Sequence, residues 1–194
     1  PAETVVMSVR VQKMGMRIMI DFHYSDTWAD PGKQAKPAAW ANHSFAELQK
    51  DVYQHTFDVL TALKSAGVTP EWVQVGNETS DGMLWPEGKA STNGFQNYAD
   101  LFKTGYNAVK SVFPSAKVIV HMGGVDVAQW NLDGLRSKGA YWDVIGISAY
   151  PNPEENWQKS NNDILTGMNN LVTRYGSKVM ICEAGMTWSK ADMS

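Results

Sequence analysis

Apolar residues follow two alternating rhythms along this chain. Near-continuous short runs at 17–22, 72–75, 117–121, 144–150 and 179–182 read as strands buried on both faces. Between them, apolar positions recur every three or four residues, the period of an amphipathic helix. Residues 3–14 put Val5, Val6 and Val9 on one face, and Gly15 follows as a C-cap. Ser44-Phe45-Ala46-Glu47 has capping-box spacing and opens a helix with Leu48, Val52, Val59, Leu60 and Leu63 inward, closed by Ala66-Gly67. Phe95, Tyr98, Phe102, Tyr106, Val109 and Phe113 mark a third helix, which Pro114 stops. A shorter helix is expected over 127–137. A last one carries Ile164, Leu165, Met168, Leu171, Val172 and Tyr175 after the turn Pro151-Asn152-Pro153. Strictly alternating strand and helix predicts an α/β fold with a parallel sheet covered by helices.

The polar residues that interrupt this pattern come just after strands. After the first run lies a long loop, 23–40, holding His23, Asp26, Trp28 and Asp30. A loop of that length is usually functional or disordered. The second run ends in Asn77-Glu78 and the fifth in Glu183, each followed by a small-residue loop. In α/β barrels the carboxyl ends of the strands are where active sites form. Two glutamates there are the ingredients of carboxylate-pair glycoside hydrolysis. Five strands, however, cannot close an eight-stranded barrel. The sheet is either open or part of a longer chain, and a chain that opens on a helix and ends just past a strand favours the second reading.

Composition narrows the classes. With 194 residues, 43% of them hydrophobic, the chain can bury one core, and 1–194 reads as one domain. A net charge of −3 without Lys/Arg clusters argues against a nucleic-acid partner. No apolar run is long enough to span a bilayer. Cys182 is the only cysteine, so a disulfide framework is excluded, and its simplest role is a small buried hydrophobe. Several of the eight tryptophans and seven tyrosines fall in loops, where flat faces suit sugars.

Asp21-Phe22-His23-Tyr24-Ser25-Asp26-Thr27-Trp28-Ala29-Asp30-Pro31 and Val73-Gln74-Val75-Gly76-Asn77-Glu78 resemble the endo-β-1,4-galactanases of glycoside hydrolase family 53. So do Gly82-Met83-Leu84-Trp85-Pro86, Gly146-Ile147-Ser148-Ala149-Tyr150-Pro151 and Cys182-Glu183-Ala184-Gly185. The first match is long and specific, whereas Asn-Glu alone is shared by many retaining barrel glycosidases. The family often has Thr where Ala184 stands. The resemblance implies a (β/α)8 TIM-type barrel, of which this chain covers strands three to seven. Glu78 then ends the fourth strand as acid/base and Glu183 the seventh as nucleophile. It also implies β-1,4-galactan side chains of pectin as substrate, no cofactor, and a site of action outside the cell or in its envelope. A complementing segment or second chain would supply the remaining strands.

Each candidate residue also has a duller reading. A single strand-end glutamate is more often solvated or ion-paired; two on one edge change the balance. Asn77 is placed to bond a sugar 2-hydroxyl, or else simply turns the chain. Asn77-Glu78-Thr79 matches a glycosylation sequon, which a catalytic edge disfavours. His121 and Tyr150 end strands on the same side and are expected to position Glu183, although a lone His is as often structural. His23, Asp26, Trp28, Asp30, Trp85 and Trp188 line a prospective sugar cleft; alternatively, the tryptophans pin long loops. Trp72 and Trp142 sit at the opposite strand ends and look structural. No His-x-His, His-Glu-x-x-His or EF-hand spacing supports a metal, and Gly123-Gly124 lacks the rest of a phosphate loop. The competing functions are a barrel glycosidase for another β-glycan and a carbohydrate binder without turnover.

Overall fold

The structure, a computed structural model, describes residues 2–151 and 156–185. The elements run α1 (Ala2–Lys13), β1 (Met19–Phe22), α2 (Phe45–Ser65), β2 (Trp72–Val75), α3 (Ala90–Asn93), α4 (Phe95–Val112), β3 (Lys117–Met122), α5 (Val125–Ser137), β4 (Val144–Ala149), α6 (Trp157–Tyr175) and β5 (Lys178–Ala184). The strands form one parallel sheet in sequence order, β1-β2-β3-β4-β5. Every expected strand and long helix is present. The short α3 has no counterpart in the hydrophobic pattern, and α6 begins at Trp157, before its first apolar anchor. The Asn152–Pro153 part of the expected turn, and Trp188, lie outside the described residues.

Side chains alternate across the sheet, so each strand serves two environments. Ile20, Phe22, Val73, Val75, Val118, Val120, Ile145 and Ile147 join the hydrophobic core beneath the helices. Leu48, Val52, Leu60 and Leu63 of α2 and Tyr98, Leu101, Phe102 and Val109 of α4 close over them, each fully buried. The capping box forms as the sequence predicts: Glu47 N–H donates to the Ser44 hydroxyl, and Ser44 N–H donates to the Glu47 carboxylate at 2.7 Å. Behind the sheet, the Asp143 carboxylate accepts from Lys110 Nζ and from the Val118 main chain, both at 2.8 Å. That bond pair ties α4, β3 and β4 together at the amino ends of the strands.

Two helix faces differ from the expected ones. Val6 is 59% exposed, while Val5 and Val9 pack against the core. On α6, Leu165 and Val172 are largely exposed although Leu171 is buried. The reason is position: α6 packs on β5, and among the described residues β5 has a paired strand on one side only. Ile181 of β5 is exposed for the same reason and lines an apolar groove with Leu165 and Met168.

The core sets the stability scale. Replacing the fully buried Leu60 by Ala is expected to cost about 2–5 kcal/mol, because transfer and cavity terms add. Val6→Ala, on an exposed helix face, is expected to change stability by less than about 0.5 kcal/mol. Urea unfolding of both variants measures the contrast, and equal losses would show that α1 and α2 do not pack as described.

Candidate active site

The sheet's other face carries the polar residues. Asp21 pairs in register with Gln74, His121 with Gly146, and Ser148 with Glu183. Asp21, Gln74 and Ser148 are single polar residues in otherwise apolar strands, and with Asn77 and His121 they build a hydrogen-bonded floor. Gln74 Nε2 donates to Asp21 Oδ1 at 2.6 Å and to Asn77 Oδ1 at 3.0 Å. Asp21 Oδ2 faces His23 Nε2 at 3.1 Å, and the Ala29 N–H donates to His23 Nδ1. With Nδ1 accepting, the His23 proton lies on Nε2, and the Asp21 carboxylate holds its pKa above the ordinary histidine value.

Glu78 is put in place by the backbone. β2 ends at Val75, and Gly76 (φ +84°) turns the chain across the strand ends; a side chain there would meet Thr79 Cγ2 at 2.5 Å. Glu78 itself has φ +46°, in the left-handed region that non-glycine residues rarely occupy. The surroundings hold it there. Thr79 N–H donates to the His121 carbonyl at 2.9 Å, Gln34 Nε2 to the Asn77 carbonyl at 2.8 Å, and Asn131 Nδ2 to the Ser80 carbonyl at 2.6 Å. Glu78 is 9% exposed, and its side chain receives the Ser148 hydroxyl on Oε1 at 2.5 Å. Burial is the largest influence on its acidity and raises its pKa; the Ser148 bond opposes this, and the Glu183 and Asp30 charges add to the rise.

Glu183 reaches the same face through an irregularity. Up to Ile147↔Ile181 the β4–β5 register is regular, then it shifts so that Ser148 pairs with Glu183 and not with Cys182. A β-bulge of this kind re-aims a side chain. Without it, strict alternation would turn Glu183 to the face that Ile181 occupies. The Tyr150 hydroxyl donates to Glu183 Oε2 at 2.9 Å, as expected of Tyr150. Cys182 is half-buried, and burial pushes its thiol up to about 12, which keeps it protonated and unreactive.

His121 departs from its expected role. Its ring bonds the Glu78 side of the site: Nδ1 takes the Glu78 N–H at 3.2 Å, and Nε2 meets Ser148 Oγ at 3.0 Å. The cause is steric as well as polar. Gly146, its register partner on β4, has no room for a side chain, since a Cβ would lie 2.7 Å from Ile119 Cγ2 and 3.3 Å from His121 Cδ2. The ring therefore lies over Gly146 toward Ser148. His121 is fully buried, and desolvation lowers its pKa, so it is neutral.

The remaining candidates divide. Asn77 is buried, its Nδ2 donating to the Ala29 carbonyl at 2.8 Å, which also closes the sequon to glycosylation in the folded chain. Asp26 accepts from the Ala38 N–H and Asp30 from the Gly32 N–H, so both carboxylates hold the long loop in shape. Trp28 is 83% exposed on that loop. Trp85 is half-buried, donates from Nε1 to the Asp81 carbonyl and has Lys89 Nζ 4.2 Å over its ring, so it pins its loop and has one face occupied. Trp72 stacks under Arg17, and Trp142 packs against the core, both structural as expected. Ser148, Gln74 and Asp21 are the site residues that sequence reasoning missed. The signal was available: each is the lone polar residue of an apolar strand, at the position whose neighbours face the helices. Among the described residues, no three His, Cys, Asp or Glu side chains converge so as to hold a metal ion. No helix among them is long and apolar enough to cross a membrane.

Parallel strands covered by helices, with a glutamate at the carboxyl ends of two of them, define the class of barrel glycosidases. The family model for glycosyl hydrolase family 53 matches residues 2–194, and the chain belongs to that family. It is 39% identical over 96% of its length to an uncharacterised protein of the bgaB 5′ region of Niallia circulans, covering 52% of that protein. It is 32% identical over 92% of its length to the arabinogalactan endo-β-1,4-galactanase of Humicola insolens, covering 55% of that enzyme. The family 53 catalytic domain of Ignisphaera aggregans superposes with a TM-score of 0.86 at 36% identity, over 96% of this chain and 51% of that one. The chain thus spans about half the length of the relatives it matches, and its five strands form half of their barrel.

Proposed function

We propose that this chain carries the catalytic half of a retaining endo-hydrolase of β-1,4-galactosidic bonds in the (arabino)galactan side chains of pectin. Glu78 is the acid/base and Glu183 the nucleophile. The observation that carries this reading is the contrast between the two carboxyls. Glu78 is buried and held toward its protonated form, while Glu183 is turned onto the same face by the bulge and oriented by Tyr150. In a retaining mechanism Glu183 attacks the anomeric carbon as Glu78 protonates the leaving oxygen. Glu78 then takes a proton from the water that releases the sugar. Asn77 stands beside the pair to bond the sugar 2-hydroxyl. His23, held by Asp21 and the Ala29 N–H, shapes the same edge, and Trp28 adds an exposed stacking face. The substrate class agrees with action outside the cell or in its envelope.

Among the described residues, β1 and β5 are each paired on one side only, and Ile181 and Leu165 are exposed beside β5. A further segment or a second chain completing the barrel would cover both edges. That incompleteness also favours a second reading for this chain by itself, sugar binding without turnover. Reducing-end release from β-1,4-galactan, β-1,4-xylan and β-1,4-glucan separates the possibilities. Release from galactan alone is expected. Release from xylan or glucan would reassign the substrate, and galactan binding without release would establish the second reading.

A further inference from the structure

The hydrogen bonds around Glu78 form a closed circuit whose direction can be worked out. Asp21 has only acceptors to offer when ionised, so Gln74 must present Nε2 to it. Gln74 Nε2 then also meets Asn77 Oδ1, and the Ala29 carbonyl requires Asn77 to present Nδ2 on its other side. Asn77 Oδ1 therefore lies 3.1 Å from His121 Nδ1, which also faces the Glu78 N–H at 3.2 Å. Nδ1 can serve only one of them: it accepts from Glu78 or donates to Asn77.

The two choices have different consequences. If Nδ1 carries the proton, the buried Glu78 N–H loses its acceptor, which is costly. Nε2 would then take the Ser148 hydrogen, and the 2.5 Å contact between Ser148 and Glu78 Oε1 would need a proton parked on Oε1. If Nδ1 accepts, Nε2–H donates to Ser148 Oγ, the Ser148 hydroxyl donates to Glu78 Oε1, and the main-chain N–H is satisfied. The one mismatch left is the Nδ1–Asn77 contact, where Asn77 Oδ1 already has Gln74 as donor.

We propose that Ser148 and His121 are positioning residues for Glu78: its own N–H fixes His121 as the Nε2–H tautomer, which turns the Ser148 hydroxyl onto Oε1 and leaves Oε2 to carry the catalytic proton. This rests on the acid/base role proposed above. Glu78 is faced by Glu183 of β5, Asp30 and His23 of the first loop, His121 of β3 and Ser148 of β4. Burial and the two carboxylates favour its protonated form. The Ser148 hydroxyl and His23 favour the ionised form that must regenerate within each catalytic cycle. Ser148 thus keeps the carboxyl from being held protonated throughout.

Two readouts, neither requiring turnover, test this. Heteronuclear NMR of the imidazole nitrogens in the unmodified chain near neutral pH is expected to show His121 protonated at Nε2 alone. Protonation at Nδ1, or at both nitrogens, overturns the proposal without any variant. Carboxyl-carbon NMR titration of Glu78 is expected to show an acid constant about tenfold smaller in Ser148→Ala, because a hydrogen bond to the charged form is lost, with recovery in Ser148→Thr. An unchanged midpoint in a folded Ser148→Ala chain also overturns it. Galactan hydrolysis that survives Glu78→Gln would instead remove the acid/base assignment and leave both NMR results standing, so the two failures are distinguishable.

Discussion

Glu183→Gln, in a preparation that releases reducing ends from β-1,4-galactan, is expected to lower kcat on the order of 10⁴-fold or more, the scale of losing a covalent nucleophile. An amide of the same shape keeps the packing beside Tyr150 but has no charge with which to attack the anomeric carbon. The bulge that aims Glu183 is formed by main-chain pairing, so it survives the substitution. Folding measured by circular dichroism should be unchanged. Steady-state kinetics on the polysaccharide, with KM recorded separately, checks this. A variant that keeps more than about a tenth of the activity would remove Glu183 from the chemistry, since even general acid–base assistance is worth about 10²-fold or more.

The second large effect belongs to Glu78. Glu78→Ala is expected to cost about 10²–10⁴-fold on galactan, where the leaving sugar hydroxyl needs a proton. On an aryl β-galactoside with a strongly acidic phenol, bond cleavage needs no proton, so the first step should be nearly preserved. In the second step a small anion such as azide then attacks the glycosyl-enzyme in place of water, needs no base, and releases the Glu183 carboxylate and a glycosyl azide. The expected pH profile of galactan hydrolysis follows from the same carboxyl. Its pKa is raised, chiefly by burial, and the acid must start protonated; kcat/KM on galactan should therefore fall as pH rises through that raised value. In Glu78→Ala this alkaline limb should vanish. Equal losses on galactan and on the activated aryl substrate would show that Glu78 does not deliver the proton.

Much of this arrangement was legible in the sequence, because strands buried on both faces leave few positions where polar residues are tolerated. The apolar runs before Asn77-Glu78 and Glu183 located both strand ends, and the three-to-four spacing located α2 and α4. What the sequence concealed depends on contacts across strands. Period-two counting puts Glu183 on the face opposite Cys182; only pairing with β4 shows the shift that brings it beside Ser148. His121 was expected to serve Glu183, yet the space over Gly146 and the N–H of Glu78 draw its ring the other way. A residue's strand-end position names its neighbourhood, whereas its partner is chosen by which backbone groups are left to be satisfied.

The tryptophans teach the same lesson. Composition and loop placement made Trp28 and Trp85 equally good sugar platforms. In three dimensions Trp85 spends its N–H and one ring face on Asp81 and Lys89, while Trp28 stands clear of its loop. Similarly, Asp26 and Asp30, which read as hydroxyl-binding charges, each satisfy a main-chain N–H within the loop that presents His23 and Trp28. That loop is long but built, so the expectation of a functional segment is the one its hydrogen bonds favour.

The most direct test is to trap the covalent intermediate with an activated 2-deoxy-2-fluoro β-1,4-galactobioside. The fluorine slows both steps, and a good leaving group lets the glycosyl-enzyme accumulate. Mass spectrometry of the digested chain should place one added galactobiosyl group on the peptide containing Glu183, and none in Glu183→Gln. A label on Glu78 or on any other residue, or hydrolysis of galactan with inverted anomeric configuration, would contradict the two-carboxylate retaining mechanism.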